Sequence, residues 1–434
     1  MKKVLIITYY WPPAGGGGVQ RWVKFVKYLR LYGWEPIVYT TQNADYPVLD
    51  PTLSSEVPSD ITVLRHPIIE PYSWYNSLSG KNKSEKIEPN FLSQGKKMGW
   101  KDQLAVWIRG NLFIPDAKRL WIRPSAVYLA TYLKSNPVDA IISTGPPHSC
   151  HLIAYRILKK NQMPWLVDYR DPWTQIDYFN DLRLTSWAKK CHLRMEKKVL
   201  NSCNRIITVG KTMAEDLASL TSNRTEVITN GYDDSDRRSE DETLDTHFSV
   251  TYIGTMNDAR NPEILWKVLN RLNAIRHPMM QEIKIHLVGK PEKAIIESVN
   301  KNGLTDTVDF VGYVSHHEAI RYQNKAQVLL LVINRTSNNK SILTGKIFEY
   351  LASGRPILCI GPKDGDAAEI IHEAGNGIVV DYEDEKSIEI YLTQCFEKYK
   401  NGTLIRNAAG VDRYSRRNLT GKLSKLLDEV SQSK

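Results

Sequence analysis

Short runs of aliphatic and β-branched residues alternate with stretches of helical periodicity along the whole chain. No other feature constrains the fold as much. Strands separated by helices cannot pair as tight hairpins; they cross over and lie parallel, with helices covering the sheet faces. In the first half the strand-like runs fall at 3–9, 35–41, 61–65, 138–144, 164–169, 204–209 and 225–229. Helical patterns fill 18–32, 123–135, 148–160, 182–200 and 211–219. A charged stretch without periodicity, 233–242, then reads as a linker. Strand-like runs resume at 248–254, 283–288, 307–311, 327–332, 356–360 and 377–380, with helices between them. A chain of 434 residues exceeds one ordinary core. The expected fold class is therefore α/β, with two Rossmann-like domains facing a cleft. The domains are read as 1–232 and 248–412, joined by 233–247, with a final helical segment in 413–434 able to cross back to the first. Ligands of such sheets bind at the carboxyl ends of the strands.

Composition narrows the class further. Hydrophobic residues make up 42% and charged residues 24%, as in a globular protein. No apolar run approaches the ~18 residues needed to span a bilayer. The N-terminal run stops at Tyr9-Tyr10-Trp11-Pro12-Pro13 without a small-residue cleavage pattern, so it reads as a first strand rather than a leader. Five cysteines without a CxxC pair suggest a reduced, cytoplasmic protein with no cysteine-based metal site. The net charge of +10 is uneven. Residues 1–230 hold 31 Lys and Arg against 19 Asp and Glu; residues 231–434 hold 27 against 29. The first half is thus suited to an acidic partner: nucleic acid, anionic lipid or a phosphorylated substrate. No nucleic-acid-binding motif supports the first of these.

Between the first strand and the first helix stands Pro12-Pro13-Ala14-Gly15-Gly16-Gly17-Gly18-Val19-Gln20-Arg21. Four glycines weaken both neighbours, but they let backbone N–H groups approach a ligand closely. At a helix N-terminus those groups are unpaired and the dipole is positive, which makes an anion cradle. It is not a GxGxxG fingerprint, since Gln20 and Arg21 stand where glycine would be needed. Gly210-Lys211-Thr212 resembles the end of a Walker A loop, but its leading glycine is replaced by Arg205.

A second constellation runs from Leu343 to Leu358. Thr344 is expected to cap a helix and Gly354 to end it. Lys346 and Glu349 are three apart and share one side. Glu349 lies about 7.5 Å along the axis from the cap at ~1.5 Å per residue. Such spacing suits a nucleoside diphosphate, with phosphates at the helix start near Lys346 and ribose hydroxyls on Glu349. A surface Lys–Glu pair is the plainer alternative.

These stretches together resemble the retaining family 4 glycosyltransferases, which have the two-Rossmann GT-B fold. The resemblance rests on the opening strand with Gly15 to Gln20, on Val311-Gly312-Tyr313, and on Gly345 to Pro356 followed by Ile357 to Gly361. The bacterial branch that makes capsule, O-antigen or exopolysaccharide is resembled most, through Ser143-Thr144-Gly145-Pro146-Pro147-His148-Ser149 and Asp168-Tyr169-Arg170-Asp171-Pro172-Trp173. The resemblance implies that the second domain binds a UDP- or GDP-sugar donor. Tyr313 would lie beside the base and Glu349 would hold the ribose. Gly17, Gly18, Thr344 and Gly345 would surround the diphosphate. Gln20, Arg21 and Arg170 are assigned to a lipid-linked or saccharide acceptor. Arg260 and Lys346 would stabilise the departing diphosphate, with Asp171 or His148 assisting, and with no metal and no cofactor. The family's Arg after the first strand of the second domain is Thr255 here, and its first paired Glu is Ser341. Arg260 best matches the accompanying Lys, and Lys290 or Lys346 could replace the missing cation. A nucleotide-sugar epimerase and a catalytically silent nucleotide-sugar-binding partner are the alternative functions.

Several other features have plainer readings. His148 and His151 lack a third metal ligand. His316-His317-Glu318 reads as helix capping. Asp364-Gly365-Asp366 and Asp234-Ser235-Asp236 mimic a metal-binding DxD by chance. Trp100, Leu104, Trp107, Ile108 and Leu112 form one helical face amid Lys96, Lys97, Lys101 and Arg109, which suits core, an acceptor-site lid or an anionic membrane surface.

Overall fold

The computed structural model describes residues 1–69, 100–159, 161–234, 237, 243–405 and 407–432. It divides into two compact units, Met1–Thr229 with Arg416–Lys434, and Asn230–Ser415. Strands of the first unit are β1 (Lys2–Ile7), β2 (Trp34–Thr41), β3 (Thr62–His66), β4 (Ala140–Gly145), β5 (Trp165–Tyr169), β6 (Arg205–Thr208) and β7 (Thr225–Val227). Among the described residues they form one seven-stranded sheet in the order β3-β2-β1-β4-β5-β6-β7, every pair parallel. The central strands are covered on both faces, which is why β1 and β4 are apolar without alternation: Val4 to Ile7 and Ala140 to Ile142 are fully buried. Ile6 lies opposite Ile142. The strand order reverses between β1 and β4, so the crevice beyond their carboxyl ends is the topological switch point.

The helices of this unit are α1 (Gly17–Leu29), α2 (Trp100–Leu112), α3 (Arg119–Ser135), α4 (Ser149–Leu158), α5 (Ser186–Ser202) and α6 (Lys211–Ala218). Two starts differ from expectation. Helix α3 begins at Arg119 rather than 123 and keeps Pro124 inside it. Helix α5 begins at Ser186 rather than 182, because Thr185 supplies the N-cap, its hydroxyl accepting from Ala188 N at 3.2 Å. Within α2, Leu104, Trp107 and Leu112 are exposed, and Asn111 ties the helix to Arg183 and Thr185. Lys96 and Lys97 lie outside the described residues, as do most of 233–242.

The second unit repeats the plan with β8 (Phe248–Ile253), β9 (Ile283–Val288), β10 (Val308–Gly312), β11 (Val328–Val332), β12 (Ile357–Ile360) and β13 (Gly377–Val380). Among the described residues these make one parallel six-stranded sheet, β10-β9-β8-β11-β12-β13, with its switch point between β8 and β11. Its helices are α7 (Glu263–Ala274), α8 (Lys293–Lys301), α9 (His316–Lys325), α10 (Lys346–Ser353), α11 (Asp366–Ala374) and α12 (Glu385–Lys400). Ser315 and Glu318 form a capping box at α9. Beyond β8 and β9 the backbones nearly touch: a Cβ on Gly289 would sit 2.2 Å from the Gly254 carbonyl oxygen. Both have φ near +130°, at 131° and 132°, a conformation left to glycine.

The last helix, α13 (Arg416–Gln432), belongs to the first unit. Leu419, Leu423, Leu427 and Val430 enter the same core as Val4, Trp22 and Leu29. Lys2 Nζ meets Asp428 at 2.8 Å, and Tyr32 Oη donates to Arg417 O. No helix among the described residues is long and apolar enough to cross a membrane.

Candidate functional site

At the switch point of the first sheet, Gly16 (φ 103°) caps α1, and Gly17 and Gly18 open its first turn. Arg170 follows β5 directly. Its Nε donates to Thr144 Oγ1 at 3.0 Å and its Nη2 to Pro146 O. A Cβ added to Gly18 would lie 1.5 Å from Arg170 Nη1. The glycine therefore lets a guanidinium rest on the first turn of α1. A cation there adds to the positive end of the helix dipole, an arrangement that favours an anion at the same place. The structure thus brings Gly17, Gly18 and Arg170 together, with Gln20 partly exposed one turn on.

Arg21 does not belong to that surface. Its side chain is fully buried, paired with Asp168 at 3.0 Å, and donates to Thr229 O at 2.8 Å. The assignment of Arg21 to an acceptor is corrected: it faces the core because Asp168 draws it there. Asp168 also accepts from Trp22 Nε1 and Thr144 Oγ1, each at 2.9 Å. Thr144 therefore relays between buried Asp168 and Arg170. Partners 147 positions apart in sequence give no local signal of this.

His148 is also buried. Its ring stacks on Trp173, centroids 4.6 Å apart and 4° between planes. Burial, then the neighbouring His151, hold its pKa well below the usual value. It is a neutral imidazole packed among aromatics, not a group presented to solvent. His151 stacks on Tyr169 and hydrogen-bonds Ser143 Oγ through Nδ1 at 2.9 Å; burial lowers its pKa to about 3. Asp171 is exposed beside Arg170. The start of α4 is covered by Asp116, which accepts from Ser149 N at 2.8 Å.

In the second unit, helix α10 carries Lys346 and Glu349. Their Nζ and Oε2 atoms are 2.7 Å apart, and Glu349 is the more buried of the two. Gly345, not Thr344, caps the helix. Thr344 Oγ1 is instead buried without a hydrogen-bond partner, an orphaned donor beside the helix start that suits a phosphate oxygen. Buried Tyr350 fixes the helix to the sheet, its hydroxyl accepting from Ile253 N at 3.0 Å. Arg260 lies in the loop beyond β8, where its Nε donates to Asn334 Oδ1 beyond β11 and its Nη1 to Thr255 O at 3.4 Å. Asn334 was not foreseen; it holds the one cation of this loop across the switch point. Tyr313 stands 92% exposed beyond β10. Ser341 turns its hydroxyl to Asn338 O. In the DxD-like stretch, Asp364 pairs with Lys340 and Asp366 opens α11. A polar cavity of about 580 Å³ lies nearby, lined by Asp258, Asn261, Lys267, Arg335, Tyr382 and Glu383. Arg260, Tyr313, Lys346 and Glu349 do not line it.

The chain was compared with known proteins. Residues 15–236 match the family described as Glycosyltransferase Family 4, and residues 247–398 match Glycosyl transferases group 1. A search of curated proteins returned no match. Among solved structures, sucrose-phosphate synthase from Thermosynechococcus elongatus is similar with a TM-score of 0.64 at 13% identity, covering 100% of both chains. Anabaena HepE in complex with UDP and glucose has a TM-score of 0.61 at 14% identity, covering 99% of this chain and 100% of that one. WaaG, a glycosyltransferase involved in lipopolysaccharide biosynthesis, has a TM-score of 0.56 at 12% identity, covering 98% and 99%. These likenesses show the fold: two parallel-sheet α/β domains that match GT-B glycosyltransferases.

Proposed function

The chain belongs to glycosyltransferase family 4, and on that premise we propose that it moves a sugar, with retention, from a UDP- or GDP-sugar to a lipid-linked or saccharide acceptor in bacterial surface-polysaccharide assembly. The observation that carries the donor assignment is the first turn of α10, where Lys346 and Glu349 meet at 2.7 Å beside the orphaned Thr344 hydroxyl. The diphosphate sits on the helix start and Lys346; Glu349 accepts from the ribose. HepE, of the same fold, was solved with UDP and glucose, and WaaG serves lipopolysaccharide biosynthesis.

In the transfer, the bond from the sugar C1 to the phosphate oxygen breaks and the acceptor oxygen bonds to C1. The acceptor's proton passes to the departing phosphate. Negative charge grows on the diphosphate as the sugar becomes oxocarbenium-like, so preorganised cations and amide dipoles stabilise that transition state. Arg260, Lys346 and the N-terminus of α10 supply them in the second unit. Gly17, Gly18 and Arg170 form the anion-favouring corner of the first. No protein base is required, and buried His148 is poorly placed to act as one.

Thermal unfolding with UDP, GDP, ADP and NAD, each with and without chelator, tests the donor assignment. A ligand at 100 times its dissociation constant contributes about 2.7 kcal/mol, a shift of several degrees at about 2–4 °C per kcal/mol. UDP or GDP is expected to give that shift with chelator present. Glu349→Ala is expected to weaken its binding on the order of 10–100-fold, as for a lost charged hydrogen bond. A shift with NAD alone, or full affinity in the variant, would refute the assignment.

We place the protein in the cytoplasm, peripheral to the inner face of the membrane. Support comes from the excess of 12 positive charges in residues 1–230 and from Leu104, Trp107 and Leu112, exposed along α2. Anionic vesicles at low salt should co-sediment the protein and neutral ones should not. Equal recovery with both would exclude an electrostatic docking.

A further inference from the structure

A second cluster joins the segment that enters β8 to strand β9. Asp245, His247 and His286 each offer one ligand atom, and these atoms lie within 4.8 Å of one another. The two imidazoles face each other through Nε2, 3.0 Å apart. His286 sits in β9 and turns its other nitrogen, Nδ1, to Asp309 of β10 at 3.3 Å. Asp309 is its direct neighbour in the strand register. A carboxylate at Nδ1 fixes the proton there and leaves the Nε2 lone pair directed at His247. This carboxylate–histidine pairing is how proteins orient an imidazole toward a metal.

The ligand segment is held as well. Asp245 N donates to Lys325 O at 3.0 Å, and Gln327 Nε2 donates to Asp245 O at 2.9 Å. Tyr399 Oη donates to Thr246 O at 2.6 Å. Lys325, Gln327 and Tyr399 thus clamp the backbone at Asp245 and Thr246. His286 is about 9% exposed, so its imidazole is held by its surroundings.

We propose that Asp245, His247 and His286 form a binding site for a divalent transition cation of the Zn²⁺ class, with Asp309 as the positioning residue. Tetrahedral Zn²⁺ with bonds of about 2.0–2.1 Å separates its ligand atoms by about 3.3 Å. The two nitrogens need open by only a few tenths of an ångström, and the carboxylate closes by a rotamer change. Two imidazoles and one carboxylate select such a cation over Mg²⁺ or Ca²⁺, which prefer all-oxygen sites. Water takes the fourth position. The site joins the segment entering the sheet to β9. None of the donor groups named above, Arg260, Lys346 and Glu349, is among its ligands.

Chelator-stripped full-length protein is titrated with ZnCl₂ against a chromophoric competitor near neutral pH, and its thermal midpoint is followed. One equivalent should bind and raise the midpoint. His247→Gln and His286→Gln should each weaken binding by more than about 100-fold, and Asp309→Asn by about 10–100-fold. The UDP-induced shift should persist in all three, which separates loss of the site from loss of the fold. No Zn²⁺ uptake by the unsubstituted protein, or undiminished uptake in both histidine variants, would overturn the proposal.

Discussion

Replacing Asp168 by alanine is expected to destabilise the first unit by about 3–5 kcal/mol, the cost of breaking a buried ion pair from one side. The carboxylate has no exposure and accepts from Arg21, Trp22 and Thr144. Its removal takes away the carboxylate that Arg21 meets at 3.0 Å inside the core, while the bond from Arg21 to the Thr229 carbonyl stays. Taking a carboxylate partner from a buried charge costs more than the lost hydrogen bonds themselves. The thermal midpoint should fall on the order of 10 °C. The double variant Asp168→Leu with Arg21→Met should recover much of the loss, because it removes both charges and keeps the volume. Guanidinium unfolding of the three proteins decides the matter. A loss below about 1 kcal/mol in Asp168→Ala, or no recovery in the double variant, would mean that the pair is not the clamp it is taken to be.

Gly18→Ala should have the opposite profile, leaving stability nearly intact while transfer falls about 100-fold. Alanine is the better helix former, so the first turn of α1 itself gains slightly. The new methyl, however, would occupy the place of Arg170 Nη1, 1.5 Å away. Arg170 must then leave the helix end. If that displacement is the whole effect, Arg170→Ala should lose as much activity, and combining the two should cost nothing more. Multiplying losses in the double variant, or more than half of the activity retained in Gly18→Ala, would show that the guanidinium does not work from that position.

The strands were largely legible from sequence because parallel sheets buried on both faces leave uninterrupted apolar runs, and β9, Ile283–Val288, falls where its run predicts. Helix starts were less legible. The pattern read over 123–135 starts four residues earlier, at Arg119, so Pro124 lies within α3. Side-chain direction was least legible. Arg21 and Gln20 are adjacent on α1, yet one is buried and the other partly exposed. What decides this is Asp168, on a strand whose distance in sequence carries no periodicity. The same holds for Asp245, His247 and His286, which no spacing rule connects. Local geometry was recoverable where one segment supplies it, as with Lys346 and Glu349, which share one helix face.

The placement of α13 has a consequence for synthesis. The first unit is built from the beginning of the chain, but its core also takes Leu419, Leu423 and Leu427. A ribosome adding about 5–20 residues per second needs on the order of ten to forty seconds to make the roughly 200 residues in between. During that time the face of α1 awaiting its partner is wet. The second unit, continuous in sequence, can finish first. The domain that is begun first is therefore completed last, and a nascent chain halted before α13 exposes apolar surface to whatever chaperone attends it.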